Sequence, residues 1–279
     1  MMDITGTTRI IGVVGDPISQ ARAPRALNDV IAAQGLDIVT IPLGIAEPGL
    51  TGLIDAVRSW RNLAGLIITM PYKTTLSWLT DELSPAARLT GAVNVIRRED
   101  DGRLLGDQLD GAGFVSSLRD RDVAIGGRRV FLMGTGGVGR AIAFGVLDAG
   151  AASVSLHNRS AASADDLLTD LQAAFGIERV ARTDARGVGA ADIVINATSV
   201  GSAINPGTPI DVAALAPGTV VADVIANPEI TPLLASARDR GCTVISGRAM
   251  QRAQMGPLLQ FLSGDEHRPA TRSVVGAQQ

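Results

Sequence analysis

The chain has 279 residues, 46% of them hydrophobic and 19% charged, with a net charge of −3; that is enough for two domains, and the acidic balance argues against nucleic acid or an anionic membrane as main partner. No 18 apolar residues run together, so no transmembrane helix is expected, and the one cysteine, Cys242, allows no internal disulfide. His157 and His267 lie far apart and no Cys/His cluster has metal-ligand spacing, so no metal site is expected and zinc enzymes, cysteine proteases and Ser-His-Asp hydrolases drop out.

Short apolar runs alternate with helix-period segments along the chain, the mark of βαβ units and parallel sheets in an α/β protein. The first strands are expected at Arg9–Val14, Asp37–Leu43 and Ala64–Thr69, separated by helices near Pro24–Gln34 and Pro48–Arg61. Two short helical stretches follow, Thr74–Leu79 and Ser84–Leu89. Ala92–Arg97 and Arg103–Gly106 read as a hairpin around the turn-forming Glu99-Asp100-Asp101-Gly102, and a helix from about Gly111 to Arg121 leads into a second series. That series has strands at Arg128–Met133, Ser153–His157, Arg179–Arg182, Asp192–Ala197, Thr219–Val224 and Cys242–Ile245. Its helices are Val138–Ala149, Ala161–Phe175, Thr231–Arg240 and a final amphipathic one over Arg248–Leu262. The polar segment from Gly264 to Gln279 is expected to fray. The two series divide near Gly111–Gly113. The N-terminus has no basic stretch followed by a long apolar run, so a cytoplasmic protein is expected.

Gly134, Gly136 and Gly139 have G-x-G-x-x-G spacing between a strand and a helix. The first glycine allows a tight turn, the second lets backbone approach a pyrophosphate, and the third allows close helix packing. The helix N-terminus offers unpaired N–H groups to phosphate. A dinucleotide site is the reading, with a merely tight turn as the alternative. At the end of the next strand an NAD-type site needs Asp or Glu for the ribose 2′-hydroxyl. His157-Asn158-Arg159-Ser160 has neither, and Arg159 can pair with a 2′-phosphate or be an ordinary exposed cation. NADP is therefore favoured over NAD.

Of 25 basic residues only Lys73 is lysine. Arginine stays protonated, whereas an amine can be tuned to trade a proton. Lys73 follows Thr69-Met70-Pro71-Tyr72 in a loop leaving the third strand, the end at which open α/β sheets place ligands. Asp110, at the division between the two series, can hold that amine, giving a general acid/base for alcohol–ketone interconversion.

These segments resemble the shikimate dehydrogenase family. Gly15-Asp16-Pro17-Ile18 matches its G-N/D-P-I loop, Thr69–Lys73 its V-T-x-P-x-K segment, and Gly91-Ala92-Val93-Asn94 its G-A-V-N. Asp107–Gly111 is similar to D-N-T-D-G and Asn158-Arg159-Ser160 to N-R-T. Asn196-Ala197-Thr198-Ser199 matches N-A-T-S, and Thr231-Pro232-Leu233-Leu234 also fits.

The resemblance implies two domains separated by a deep cleft. Residues 1–111 form the substrate-binding domain and 112–246 the Rossmann NADP domain, with 247–279 returning to the first. It implies reduction of 3-dehydroshikimate to shikimate with NADPH, or the reverse, with Lys73 and Asp110 as the catalytic pair. Thr69, Asn94 and Gln254 resemble the residues that contact ring hydroxyls; their plainer readings are a strand residue, a turn residue and a polar helix position. Gly134, Gly136, Gly137, Gly139, Asn158, Arg159, Ser160 and Thr198 resemble the cofactor site. The partner is then a small cyclic hydroxy acid, and the protein a monomer or homodimer. Three segments depart from the pattern. The S-x-S-P loop, whose hydroxyls hold the substrate carboxylate, reads Ala21-Arg22-Ala23-Pro24; D-N-T-D has become Asp107-Gln108-Leu109-Asp110; and a strand that often carries a tyrosine ends Asp223-Val224-Ile225-Ala226. Quinate, amino-shikimate or another polyol acid is the alternative substrate, and a non-catalytic dinucleotide sensor the alternative function.

Overall fold

Two six-stranded sheets organise the protein, described here over residues 4–264 of a computed structural model. The segment expected to fray lies, beyond Gly264, outside the described residues. The first sheet contains β1 (Arg9–Gly15), β2 (Ile38–Gly44), β3 (Leu63–Ile68), β4 (Glu82–Leu83), β5 (Val95–Arg98) and β6 (Leu104–Asp107), in the order β2-β1-β3-β5-β6-β4. The central strands are short runs of Val, Ile and Leu with little exposed surface; all six residues of β3 are buried. Helices α1 (Ala23–Ala33), α2 (Leu50–Ser59), α3 (Lys73–Ser77) and α4 (Pro85–Thr90) complete this half.

The expected hairpin is β5–β6, and the expectation of parallel sheets is corrected only for the first sheet, which is mixed. β1 pairs parallel with β2 and β3, but β5 runs antiparallel to both β3 and β6. The Glu99–Gly102 turn is far too short for the crossover that parallel strands require. β4, a two-residue edge strand parallel to β6, is too short to leave a periodic signal.

The second sheet holds β7 (Arg129–Met133), β8 (Ser153–His157), β9 (Val180–Arg182), β10 (Ile193–Asn196), β11 (Val220–Asp223) and β12 (Thr243–Ile245). All its pairings are parallel, in the order β12-β11-β10-β7-β8-β9. Read from the other edge, this is the 3-2-1-4-5-6 order of a doubly wound sheet, whose switch point lies between β7 and β10. Helix α5 (Asp110–Arg119) precedes β7, and α6 (Gly137–Asp148), α7 (Ala161–Phe175) and α8 (Pro232–Asp239) alternate with the strands. Although α5 starts at the end of β6, its Phe114, Val115 and Leu118 pack into the core of the second sheet with Ile142, Val146 and Leu147 of α6. Asp110, its first residue, therefore stands where the two halves meet.

The single helix expected over Arg248–Leu262 is instead two, α9 (Gly247–Ala253) and α10 (Met255–Ser263), joined at Gln254. Pro257 has no N–H for the carbonyl of Ala253, and its ring crowds that carbonyl, so the ladder breaks one turn upstream. α10 buries Met255, Leu258, Leu259 and Leu262 against Ile11, Leu27 and Ile67 of the first half. At ~1.5–3 kcal/mol per fully buried side chain, this docking is a large share of the helix's stability.

Candidate active site

β3 ends at Ile68, and Lys73 sits five residues on as the first residue of α3 rather than in a loop. Tyr72, just before it, is buried and donates from its hydroxyl to the Ile45 carbonyl at 2.7 Å. Burial, with the carboxylates of Asp16 and Glu47, pushes this phenol up from its ordinary range. The chain's one tyrosine thus anchors the segment that carries its one lysine.

Lys73 Nζ donates to Asp110 Oδ2 at 2.7 Å. The lysine side chain is 27% exposed and the aspartate side chain 9%, so the amine reaches solvent and the carboxylate lies behind it. The other carboxylate oxygen, Oδ1, accepts from Asn94 Nδ2 at 2.9 Å and Gln254 Nε2 at 2.7 Å. Asn94, in the link between α4 and β5, also accepts the Leu109 N–H at 2.8 Å, and Gln108 Oε1 accepts the Asp110 N–H at 3.0 Å. Both carboxylate oxygens and the adjoining backbone are therefore fixed from four segments. Gly113, one turn into α5, makes room for the last of these; a Cβ there would lie 2.8 Å from Gln254 Cβ.

Sequence-expected Lys73, Asp110, Asn94 and Gln254 thus form one cluster. Thr69 does not join it by hydrogen bond; it follows the end of β3, and its methyl packs where a Cβ on Gly15 would fall, at 2.5 Å. Gln108 stands out in the sequence only as a departure from the D-N-T-D pattern, and its hydrogen bond to the Asp110 backbone is what places it in the site. Beside it Asp107 Oδ1 accepts the Gln108 N–H at 2.6 Å and the Ser84 hydroxyl, while burial pushes its carboxyl up.

The second cluster occupies the switch point. Gly134 has φ +93, and a Cβ there would lie 2.8 Å from the Ala197 carbonyl oxygen across the crevice. A Cβ at Gly139 would sit 2.1 Å from the Gly134 carbonyl oxygen, whereas at Gly136 and Gly137 it would meet nothing within 4 Å. The loop is closed by its outer glycines and open at its inner ones, at the N-terminus of a 12-residue helix. That geometry fits a pyrophosphate laid against backbone N–H groups.

A pocket of about 280 Å³ adjoins this loop, lined by Met133, His157, Asn158, Arg159, Thr198, Ser199, Val200, Asn205 and Pro209. Asn158 Nδ2 donates to the Ser160 carbonyl at 3.0 Å, and Ser160 caps α7 by accepting the Ser163 N–H. Arg159 is exposed. Thr198 donates from its hydroxyl and its N–H to Asn196 Oδ1, at 2.6 and 3.0 Å. Asn196, which the sequence reading left out of the site, donates in turn to the Val200 carbonyl at 2.9 Å and to Asp223 Oδ2 at 3.1 Å. Asp223 is 2% exposed and also accepts the Thr231 hydroxyl at 2.8 Å and the Ile225 N–H at 2.9 Å. Burial pushes its carboxyl up, and these hydrogen bonds oppose the shift. No group of His, Cys, Asp and Glu among the described residues could hold a metal ion.

A family model described as the shikimate dehydrogenase substrate binding domain matches residues 13–96. A shikimate dehydrogenase (NADP(+)) of Geobacter metallireducens is 34% identical over 275 residues, 96% of each chain. A crystal structure of shikimate 5-dehydrogenase from Listeria monocytogenes, in complex with shikimate and NAD, superposes with a TM-score of 0.87 at 30% identity, over 95% of both chains. Quinate dehydrogenase from Corynebacterium glutamicum, in complex with NAD, superposes at 0.82 with 30% identity, over 92% of this chain and 94% of that one.

Proposed function

The chain belongs to the shikimate dehydrogenase family and is an oxidoreductase; from that premise we propose that it interconverts 3-dehydroshikimate and shikimate, or a closely related cyclic hydroxy acid, with NADP. The observation that carries the chemistry is the partly exposed Lys73 amine 2.7 Å from Asp110 Oδ2. NADP(H), when bound, supplies or takes the hydride. Lys73 gives a proton to the carbonyl oxygen as it becomes a hydroxyl, and takes it back in the reverse direction. Asp110 holds the amine in line, and Asn94 and Gln254 hold Asp110 by its other oxygen.

Ring hydroxyls are the task of Thr69, Asn94 and Gln254. Asn94 already uses its oxygen on Leu109 and one N–H on Asp110, so its remaining N–H is the group it offers. Gln254 keeps its oxygen free of Asp110, and Thr69 its hydroxyl. Gly134, Gly136, Gly137 and Gly139 cradle the pyrophosphate, while Asn158, Arg159, Ser160 and Thr198 hold the adenosine end. On this reading residues 1–111 bind substrate and 112–246 bind the cofactor; of the C-terminal helix pair, expected to return to the first unit, α10 packs there while Met250 of α9 packs into the core of the second sheet. The protein acts in the cytoplasm, as monomer or homodimer.

A second substrate reading rests on the turn into α1. Ala21 and Ala23 are partly buried against the first half's core, and their methyls can donate nothing to a carboxylate. A spectrophotometric screen of shikimate, quinate and amino-shikimate, each with NADP and NAD, separates the substrates. Shikimate turnover preferring NADP supports the main reading. Dinucleotide binding without turnover of any of the three would overturn it in favour of a sensor.

A further inference from the structure

An imidazole stands in the wall of the cofactor pocket and takes no part in hydride or proton transfer. His157 is the last residue of β8 and lines the pocket with Asn158, Arg159 and Thr198. Its Nδ1 lies 3.4 Å from the Thr183 carbonyl oxygen. A carbonyl only accepts, so this contact assigns the hydrogen to Nδ1 and leaves Nε2 as the free nitrogen. The ring stacks on Phe131, with centroids 6.0 Å apart and planes 21° from parallel. Phe131 is fully buried, so the imidazole rests against a fixed floor.

In a doubly wound sheet this strand end faces the 2′ position of the cofactor ribose, where a carboxylate selects the hydroxyl and a cation the phosphate. None of the nine lining residues is Asp or Glu, and Arg159 is the one guanidinium among them. A neutral His157 would turn the Nε2 lone pair toward a phosphate oxygen. A protonated ring keeps Nδ1–H on Thr183 and turns Nε2 into a cationic donor. We infer that His157 is a second specificity-determining contact for the cofactor's 2′-phosphate, binding it through Nε2–H and more tightly as pH falls; the inference rests on the NADP reading above.

The charged groups around the ring fit a role that depends on the ligand. From β7 come only Phe131 and Met133, and the 198–209 segment has no titratable side chain. Arg159 lies on the pocket side. Beyond Thr183 stand Arg182, paired with Asp165 at 2.7 Å, and Asp184, 3.9 Å from Arg186. No carboxylate lines the pocket, so a bound phosphate dianion would be the anion facing the ring, and a dianion there favours the protonated imidazole. Binding and protonation therefore reinforce each other.

The test is calorimetric titration of the protein with NADP⁺ and with NAD⁺ at pH 6.5 and 8.5. Histidine changes charge between pH 5 and 8, while a phosphomonoester, with its second pKa near 6, stays largely dianionic over this window. The NADP-over-NAD affinity ratio is expected to be at least threefold higher at pH 6.5 than at 8.5. His157→Gln should flatten that slope, and Arg159→Ala should lower the ratio at both pH values while keeping it. Equal slopes in the natural protein and His157→Gln overturn the inference alone. No preference for NADP at either pH overturns the cofactor reading beneath it. Should the glutamine variant fail to fold, NMR titration decides, since His157 and His267 are the only two imidazoles. Saturation with adenosine 2′,5′-bisphosphate is expected to move the His157 titration to higher pH, and adenosine 5′-monophosphate to leave it in place. Identical titrations with both ligands overturn the proposal.

Discussion

Two buried aspartates anchor the two halves, and the halves differ in what completes each anchor. Asp110 and Asp223 are both under 10% exposed, and each accepts a hydrogen bond from an asparagine amide on a neighbouring segment, Asn94 in one case and Asn196 in the other. Asp110 is then completed by a second amide and by a partly exposed amine. Asp223 is completed by a hydroxyl and a backbone N–H, all buried. An amide–carboxylate pair is thus a general way to satisfy buried polar groups between neighbouring segments, without chemical consequence by itself. A transferable proton at the edge of solvent is what turns one of the two into acid–base machinery. The other, through Asn196 and Thr198, only shapes a loop of the cofactor pocket.

The largest effect expected from this contrast is at Lys73. Lys73→Ala should lower kcat at least ~10²-fold by loss of proton transfer, with cofactor affinity nearly unchanged. Lys73→Arg should not restore it, because a guanidinium keeps its proton. An arginine variant with near-natural turnover would make Lys73 a binding cation and erase the difference between the two anchors.

Asp223→Asn should act on stability and cofactor affinity, with kcat at saturating cofactor close to normal. Whichever way the new amide turns, one of its N–H groups faces the Ile225 N–H or the Asn196 amide, leaving a buried donor unpaired at a cost of ~1–3 kcal/mol in denaturant unfolding. The pH dependence has a definite sign. Burial raises the folded-state pKa of Asp223, so its favourable contribution is complete below the unfolded pKa and declines as pH rises through the folded value. The stability deficit of the variant should therefore be largest in mild acid and smaller at neutral pH. A kcat collapse like that of Lys73→Ala would mean that the two anchors do the same kind of work.

Arg159→Ala probes the pocket that the Asp223 network shapes, without touching the network. A charge-assisted contact to phosphate contributes ~1.5–3 kcal/mol, so the NADP preference should narrow roughly tenfold or more while unfolding stays unchanged. Direct titration with the two dinucleotides measures it, and an unaltered ratio would remove Arg159 from the site.

The smallest effect calibrates the others. Asp192 lies at the start of β10 and pairs with Arg129 across the sheet, at 3.0 Å, near the surface. The Arg129 guanidinium and N–H hold its carboxyl down at about 2. Stabilisation from this pair is therefore present above about pH 4 and lost as pH falls toward 2, opposite in sign to Asp223. Asp192→Asn should cost only ~0.2–1 kcal/mol at neutral pH and clearly less at pH 2, where the carboxylate is half protonated. A deficit undiminished at pH 2 would point to packing rather than charge.

Much of this contrast was legible before any coordinates. The second sheet's strands announce themselves because parallel strands buried on both faces read as short apolar runs, and β8 and α7 fall at their expected bounds. Lys73 stands out because no other lysine exists to dilute it. Asn94 and Gln254 came from family likeness, with plain readings as the alternative, since nothing local tells an amide bound to a carboxylate from one in a turn. Asn196, Asp223 and His157 were passed over for the same reason: their partners lie 27, 27 and 26 positions away in sequence. The broken C-terminal helix was the reverse case, a local signal in Pro257 outweighed by the amphipathic pattern around it.

Residue order alone determined the βαβ alternation, the glycine turn and the lone amine, because each depends on the period of side chains or on the identity of one residue. Tertiary structure decided that the hairpin inserts antiparallel beside β3, the seating of α5 on the second sheet, and which amides reach which aspartate. Those outcomes depend on close approach between segments far apart in the chain, where a missing Cβ at Gly113 and a kink before Pro257 bring Gln254 within 2.7 Å of Asp110. Spacing along the sequence carries no record of such distances, because burial and steric fit set them only once both halves have packed.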